Sequence, residues 1–292
     1  MLDDLDLKIN NWIVNTVNPL IKPNKLDKIL ECALELSKII YYNDMNVEKY
    51  LDEINLMQKE LNIKKEKSNI NFSRPTQIIE LINDYMFKEK EFKANIHDYQ
   101  NPLNNFLNVV IEKRIGIPIT LSIIYITLAQ AINFKLYPVN FPKHFLVKYV
   151  LDDVNNNEII IDPFNQGRIM DDYALKNLMD SFFPNQNIPL TKKLVEKANL
   201  SQVMIRILNN VKDSFFEIQE FDKLNIANEM IFAIDPKNTY AIRDKGIILH
   251  EKDPEKSLEL LNRYLELEPE ANDADIILKI IKSIREKNNR YR

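Results

Sequence analysis

The sequence predicts a mostly helical α+β fold: a central buried helix on a small antiparallel sheet, followed by an all-helical tail. Three observations carry this. The segment PITLSIIYITLAQAI, residues 118–132, is apolar on nearly every helical face, which suits only the centre of a core. Directly after it, KLYPVNF, HFLVKYVL and EIIID alternate with period two. Most of the remaining chain shows apolar residues at helical spacing.

Before the central helix, helices are expected over Leu26 to Ile40, over VEKYLDEINLMQKEL, over PTQIIELINDYMF with Pro75 in its first turn, and over NPLNNFLNVVIEKR. The polar KKEKSNINFSRP reads as a loop, and its lysine run at 64–67 as a solvated stretch. In the second β-type run Phe145, Val147 and Tyr149 face one side and His144, Leu146 and Lys148 the other. The last two runs are separated by the turn-forming DDVNNN. Beyond DPFNQGR no further strand signal occurs. A chain of 292 residues accommodates two units, expected at 1–190 and 191–292.

The tail holds a self-similar pair, AIDPKNTYAIRDKGIILHE and LELEPEANDADIILKI, whose Pro236 and Pro269 lie 33 residues apart. That spacing resembles the tetratricopeptide repeat, whose period is about 34. Gly246 then falls where two antiparallel helices approach most closely, and the pair divides near Asp253 and Pro254. A plain helical hairpin fits the same residues, since one period does not establish an array.

Composition removes several function classes. The net charge is −4, so no global positive field attracts nucleic acid or an anionic membrane. Three glycines, at 116, 167 and 246, leave no room for a glycine-rich phosphate loop. No apolar run reaches the roughly 18 residues of a membrane span, and MLDDLDLKIN lacks the features of a signal peptide, which makes the cytoplasm the expected location. Cys32 is the single cysteine. It sits at the edge of the apolar stripe of its helix and reads as a packing residue. With only His97, His144 and His250 and no carboxylate at ligand spacing, no metal or cofactor is expected.

The most informative stretch is RIGIPITLSIIYITLAQAINFKLYPVNFPKHFLVKY, followed by IIIDPFNQGR and preceded by DYQNPLNNFLNVVIEKR. These segments resemble the bacterial SirB-type family of transglutaminase-like proteins, which also carry tetratricopeptide-like tails. The likeness is strongest from Asp98 to Arg168. It implies a papain-like arrangement in which a cysteine at a helix N-terminus meets a histidine and an aspartate on adjacent strands. The physics of that arrangement is clear: the helix end lowers the thiol pKa, the imidazole takes its proton, and the carboxylate fixes the imidazole tautomer.

By this resemblance His144 and Asp162 match the histidine and aspartate, while Pro118 stands where active relatives carry the cysteine. The separations agree, 26 residues from Pro118 to His144 and 18 from His144 to Asp162. Proline is no nucleophile. Ser122, one turn on, reads either as a satisfied core hydroxyl or as a substitute nucleophile; Thr120 projects to the opposite side. Arg114 and Arg168 flank the motifs and are expected to bridge core segments or to bind an anion. Two functions follow. One is a non-catalytic interaction or regulatory protein with a protein or peptide partner. The other is an amide or ester hydrolase, or acyl transferase, using His144 and Asp162 with Ser122 or water. The residues fix neither the partner nor the oligomeric state.

Overall fold

A computed structural model describes residues 2–68, 70–71, 73–152 and 157–290 of the chain. The architecture is α+β and mostly helical. In chain order the helices are α1 (Leu2–Trp12), α2 (Ile29–Ile40), α3 (Val47–Lys67), α4 (Pro75–Asn83), α5 (Leu107–Lys113), α6 (Pro118–Ala131), α7 (Asp172–Phe182), α8 (Leu200–Glu217), α9 (Phe221–Ile234), α10 (Thr239–Leu249), α11 (Pro254–Leu267) and α12 (Ala274–Arg290). The strands are β1 (Lys93–Ala94), β2 (Ile115–Gly116), β3 (Leu136–Val139), β4 (Leu146–Asp152), β5 (Asn157–Asp162) and β6 (Arg168–Met170).

Helix α6 is the expected central helix. Pro118 occupies its first turn, where a missing N–H costs nothing. Ile117 offers no capping side chain, so the Thr120 hydroxyl accepts the Ile117 N–H at 3.1 Å and lies 3.2 Å from the Asn104 carbonyl. Every residue from Pro118 to Ala129 is buried. The helix packs against β3 and β4 and against α2, α3, α4 and α5.

The sheet is antiparallel in the order β3-β4-β5-β6, with Val147 opposite Ile161 and Ile160 opposite Met170. Val139, Phe141, Leu146, Ile160 and Met170 pack with Ala174, Leu175 and Met179 of α7. The turn expected between β4 and β5 falls, for residues 153–156, outside the described residues.

Several local expectations are corrected. Arg168–Met170 is a fourth strand, too short to show alternation, and it exists because β5 offers it a paired edge. Lys93–Ala94 and Ile115–Gly116 form a parallel pair that local pattern does not reveal. The KKEK run is not loop: α3 continues through Lys67, Lys64 pairs with Glu89 at 2.9 Å, and Lys65 donates to the Ile132 carbonyl at 3.0 Å. Asn69 and Phe72 of that predicted loop lie outside the described residues. Helix α5 starts only at Leu107, because Asn101 caps a separate 3-10 turn over Pro102–Asn105.

By compactness the chain divides into residues 18–207 and a second unit of residues 1–17 with 208–292, whereas the sequence placed the division at 190. Two contacts account for the difference. Ala198 N–H donates to the Pro138 carbonyl of β3 at 2.8 Å, tying the 190s to the sheet, and α1 packs on α9.

In the second unit α10 and α11 form a helical hairpin, divided as expected between Leu249 and Pro254. A Cβ on Gly246 would stand 2.7 Å from Leu261 Cδ2, and the Gly246 carbonyl accepts the Ser257 hydroxyl at 2.7 Å. Buried Lys212 of α8 donates to Asn228 Oδ1 at 2.8 Å and pairs with Asp244, which joins α8, α9 and α10 through one cation.

Candidate functional site

The site begins with a turn. Residues Phe141–His144 reverse the chain ahead of β4, with His144 N–H donating to the Phe141 carbonyl at 3.0 Å and Lys143 at φ 54. His144 therefore sits two residues ahead of β4 and not within the strand, because the left-handed Lys143 must finish the turn first. Asp162 is the last residue of β5. Continued from Val147 and Ile161, the register sets Leu146 opposite Asp162, so His144 is its diagonal neighbour and the two side chains meet.

His144 Nε2 lies 3.0 Å from Asp162 Oδ1, and the residues are 5% and 0% exposed. Asp162 is held in place by its own turn. Its Oδ1 accepts the N–H groups of Phe164 at 3.1 Å and Asn165 at 3.4 Å, and its Oδ2 accepts Asn165 Nδ2 at 2.6 Å. A carboxylate that receives so many donors acts as an acceptor, so the Nε2–H of His144 donates to it. This is how a carboxylate orients an imidazole for acid–base work, and equally how a polar pair is satisfied inside a core.

Aromatic rings enclose the imidazole: Phe164 edge-on at 5.8 Å and Phe182 of α7 at 6.1 Å. A chain of contacts leads from Phe164 towards the start of α6. Tyr99 stands edge-on to Phe164 at 6.1 Å, Asn104 Nδ2 donates to the Tyr99 carbonyl at 3.1 Å, and the Asn104 carbonyl meets Thr120. Sequence reasoning singled out His144 and Asp162 but passed over Phe164, Asn165, Tyr99 and Asn104. The IDPFN run held the signal for two of them, since an aspartate ahead of proline and asparagine is a turn former whose carboxylate faces the following N–H groups.

Of the other residues weighed, Pro118 is buried at the first turn of α6. Ser122 is wholly buried, yet its Oγ has no hydrogen-bond partner, so it is neither the satisfied core hydroxyl expected nor bonded to His144. Cys32 is wholly buried on α2, and burial pushes its thiol up to about 12, which keeps it protonated and unreactive.

Arg114 does bridge core segments: it caps α5 in the left-handed conformation, donates to Glu53 at 2.7 Å and lies over the Phe92 ring. Arg168 does not. It begins β6 with its side chain exposed. His97 is exposed, and His250 Nδ1 lies 2.8 Å from the Ile247 carbonyl near the protein surface. Among the described residues no group of three histidine, cysteine, aspartate or glutamate side chains could hold a metal ion, and no helix is long and apolar enough to cross a membrane.

Comparison with known proteins places this geometry in context. The family model described as transglutaminase-like superfamily matches residues 46–209, which include α3 to α7, the whole sheet and the His144–Asp162 pair. A UPF0162 protein of Xylella fastidiosa is 30% identical over 200 residues, covering 67% of this chain and 70% of the relative. A UPF0162 protein of Buchnera aphidicola is 30% identical over 188 residues, covering 62% and 66%. F-box only protein 21 of Mus musculus is 31% identical over 143 residues, covering 47% of this chain and 21% of that protein. No solved structure matches the chain. With the family model spanning more than half of its length, the chain belongs to the transglutaminase-like superfamily.

Proposed function

We propose that this chain is a non-catalytic member of its superfamily, of the SirB type, which acts as an interaction or regulatory protein for a protein or peptide partner. The observation that carries this reading is the missing nucleophile. Acyl transfer through a covalent intermediate needs a thiolate or hydroxyl within hydrogen-bond reach of the oriented imidazole. Pro118 supplies none at the position that the resemblance assigns to the nucleophile. Ser122 makes no hydrogen bond, and the one thiol is Cys32, buried on α2. A buried polar pair without a nucleophile serves to lock the Asp162 turn against the start of β4.

The helices from α9 onward fit a tetratricopeptide-like tail that presents a groove to a peptide. The 33-residue spacing of Pro236 and Pro269 and the close approach at Gly246 support this. A single cysteine, which permits no disulfide within the chain, fits a cytoplasmic setting.

A second reading has its own observation. Ser122 Oγ is buried without a partner, and the His144 imidazole is oriented by Asp162, so a rearrangement joining the two would give a serine-based hydrolase or acyl transferase. One experiment separates the two. Parent, Pro118→Cys, Ser122→Ala and His144→Ala proteins are assayed with iodoacetamide and with activated acyl esters. The non-catalytic reading expects no turnover by the parent and new alkylation in Pro118→Cys. Turnover by the parent that disappears in both Ser122→Ala and His144→Ala would replace it with the hydrolase.

A further inference from the structure

A cleft of about 480 Å³ runs between β1 and the turn that carries Asp162. Its size is that of a ligand site. Phe87, Phe92 and Phe164 line it with apolar surface, and Lys93 and Arg168 stand along it with both side chains exposed. No carboxylate lines it, and among the described residues neither cation is paired with one. In a chain of net charge −4, two unpaired cations facing one aromatic-floored cleft form a local positive field where a carboxylate gains most.

Both walls are set in advance. Lys93 N–H donates to the Arg114 carbonyl at 2.7 Å and Asn95 N–H to the Gly116 carbonyl at 2.8 Å, which fix β1. On the other side Gln166 and Gly167 are both left-handed, at φ 55 and 73, and the Gly167 carbonyl accepts Asn83 Nδ2 at 3.1 Å. Asn83 is in turn held by the Tyr125 hydroxyl of α6 at 2.8 Å. Arg168 thus projects from a turn that binding need not reorganise.

We propose that this cleft binds an acidic peptide segment, with a carboxylate taken between Lys93 and Arg168 and an adjacent apolar side chain seated on the half-buried Phe87 and Phe164. The exposed Ile96 at the rim extends the apolar contact. The proposal rests on the interaction reading and gives its partner a chemistry.

The test is calorimetric titration of the full chain with the capped peptide Gly-Ser-Asp-Phe-Asp-Leu-Ser and with the same peptide carrying asparagine for both aspartates. The expected result is saturable binding of the acidic peptide, weakened by salt, and a loss of about tenfold or more for the asparagine peptide and for each of Lys93→Gln and Arg168→Gln. Both side chains are exposed, so the variants keep the parent's melting curve. Equal binding of the two peptides, parent-like affinity in both variants, or no binding at millimolar peptide would overturn the proposal. The acyl-ester assay keeps the two ideas apart. Peptide binding by a protein that also turns over esters leaves this site standing and removes the non-catalytic reading; no binding and no turnover does the reverse.

Discussion

Helices α6 and α11 are each 14 residues long and each begin with proline, yet they are stabilised in opposite ways. Helix α6 is buried from Pro118 to Ala129 and has no side-chain cap at Ile117. Helix α11 buries only Ser257, Leu260, Leu261 and Tyr264, at spacings of three and four, and Asp253 caps it by accepting the Lys256 N–H at 3.0 Å. One helix is held from all sides by packing. The other contributes a stripe to its neighbours and draws on its own cap. Tolerance to substitution should therefore be uniform and low in α6 and strongly periodic in α11.

The largest effects test that contrast directly. Leu121→Ala and Ile124→Ala, both fully buried in α6, are each expected to cost about 2–5 kcal/mol. In α11, Leu261→Ala should cost as much, whereas Leu267→Ala, at 48% exposure, should stay within about 0.5 kcal/mol. Denaturant unfolding of the four variants measures this, and equal costs at Leu261 and Leu267 would break the comparison.

Glycine sharpens it next. At Gly167 an added Cβ would lie 1.8 Å from Asn83 Oδ1, which Tyr125 holds, and φ is +73; at Gly246 it would meet Leu261 Cδ2 at 2.7 Å and Cγ at 2.8 Å without any left-handed strain. Gly167→Ala should cost about 2–4 kcal/mol, from the left-handed penalty and overpacking together, and Gly246→Ala about 1–2 kcal/mol. Thermal melts that reverse this order would show that the helical hairpin is the more rigid contact.

Asp162→Asn tests the polar turn. It replaces one acceptor oxygen by an NH2 group facing donors, and a loss of about 1–3 kcal/mol is expected. The His144 ring resonances should shift with it, because Nε2–H loses its charged acceptor; an unchanged imidazole spectrum would argue against the pair.

The smallest effect belongs to the helical unit. Burial and a hydrogen bond to Asp273 push the Tyr264 phenol up to about 12. A phenol of the unfolded chain ionises near pH 10 (~10). Since the folded value is the higher, the contribution is complete below about pH 10 and is lost as pH rises towards 12. Tyr264→Phe should cost about 1 kcal/mol at neutral pH and lose less stability than the parent across that alkaline window. Parallel alkaline curves for the two proteins would count against the Tyr264–Asp273 bond.

Where a residue's neighbours lie close in sequence, the sequence was readable. The apolar run of α6, the alternation of HFLVKYVL and EIIID, and the break at Asp253 and Pro254 each state their own structure, because helical and strand periods are local properties. The two histidine and aspartate positions were found through a motif likeness. The turn that makes Asp162 an acceptor, with Asn165 three residues on, was also locally encoded but went unread. Ser122 was misread because satisfaction of a hydroxyl depends on atoms from other elements, which residue type does not supply.

By itself the sequence determined that a fully apolar helix must be central, that strands follow it, that the tail is helical, and that nucleophilic chemistry at Pro118 is closed. Tertiary structure alone decided the rest. It paired β1 with β2 across 20 intervening residues, added β6 to the free edge of β5, and joined residues 1–17 to the C-terminal helices. It also turned Arg168 outward into an aromatic cleft with Lys93. Each of these brings together segments distant in the chain, and such pairings are selected by the surfaces left over once the local elements have formed, information that no single segment contains.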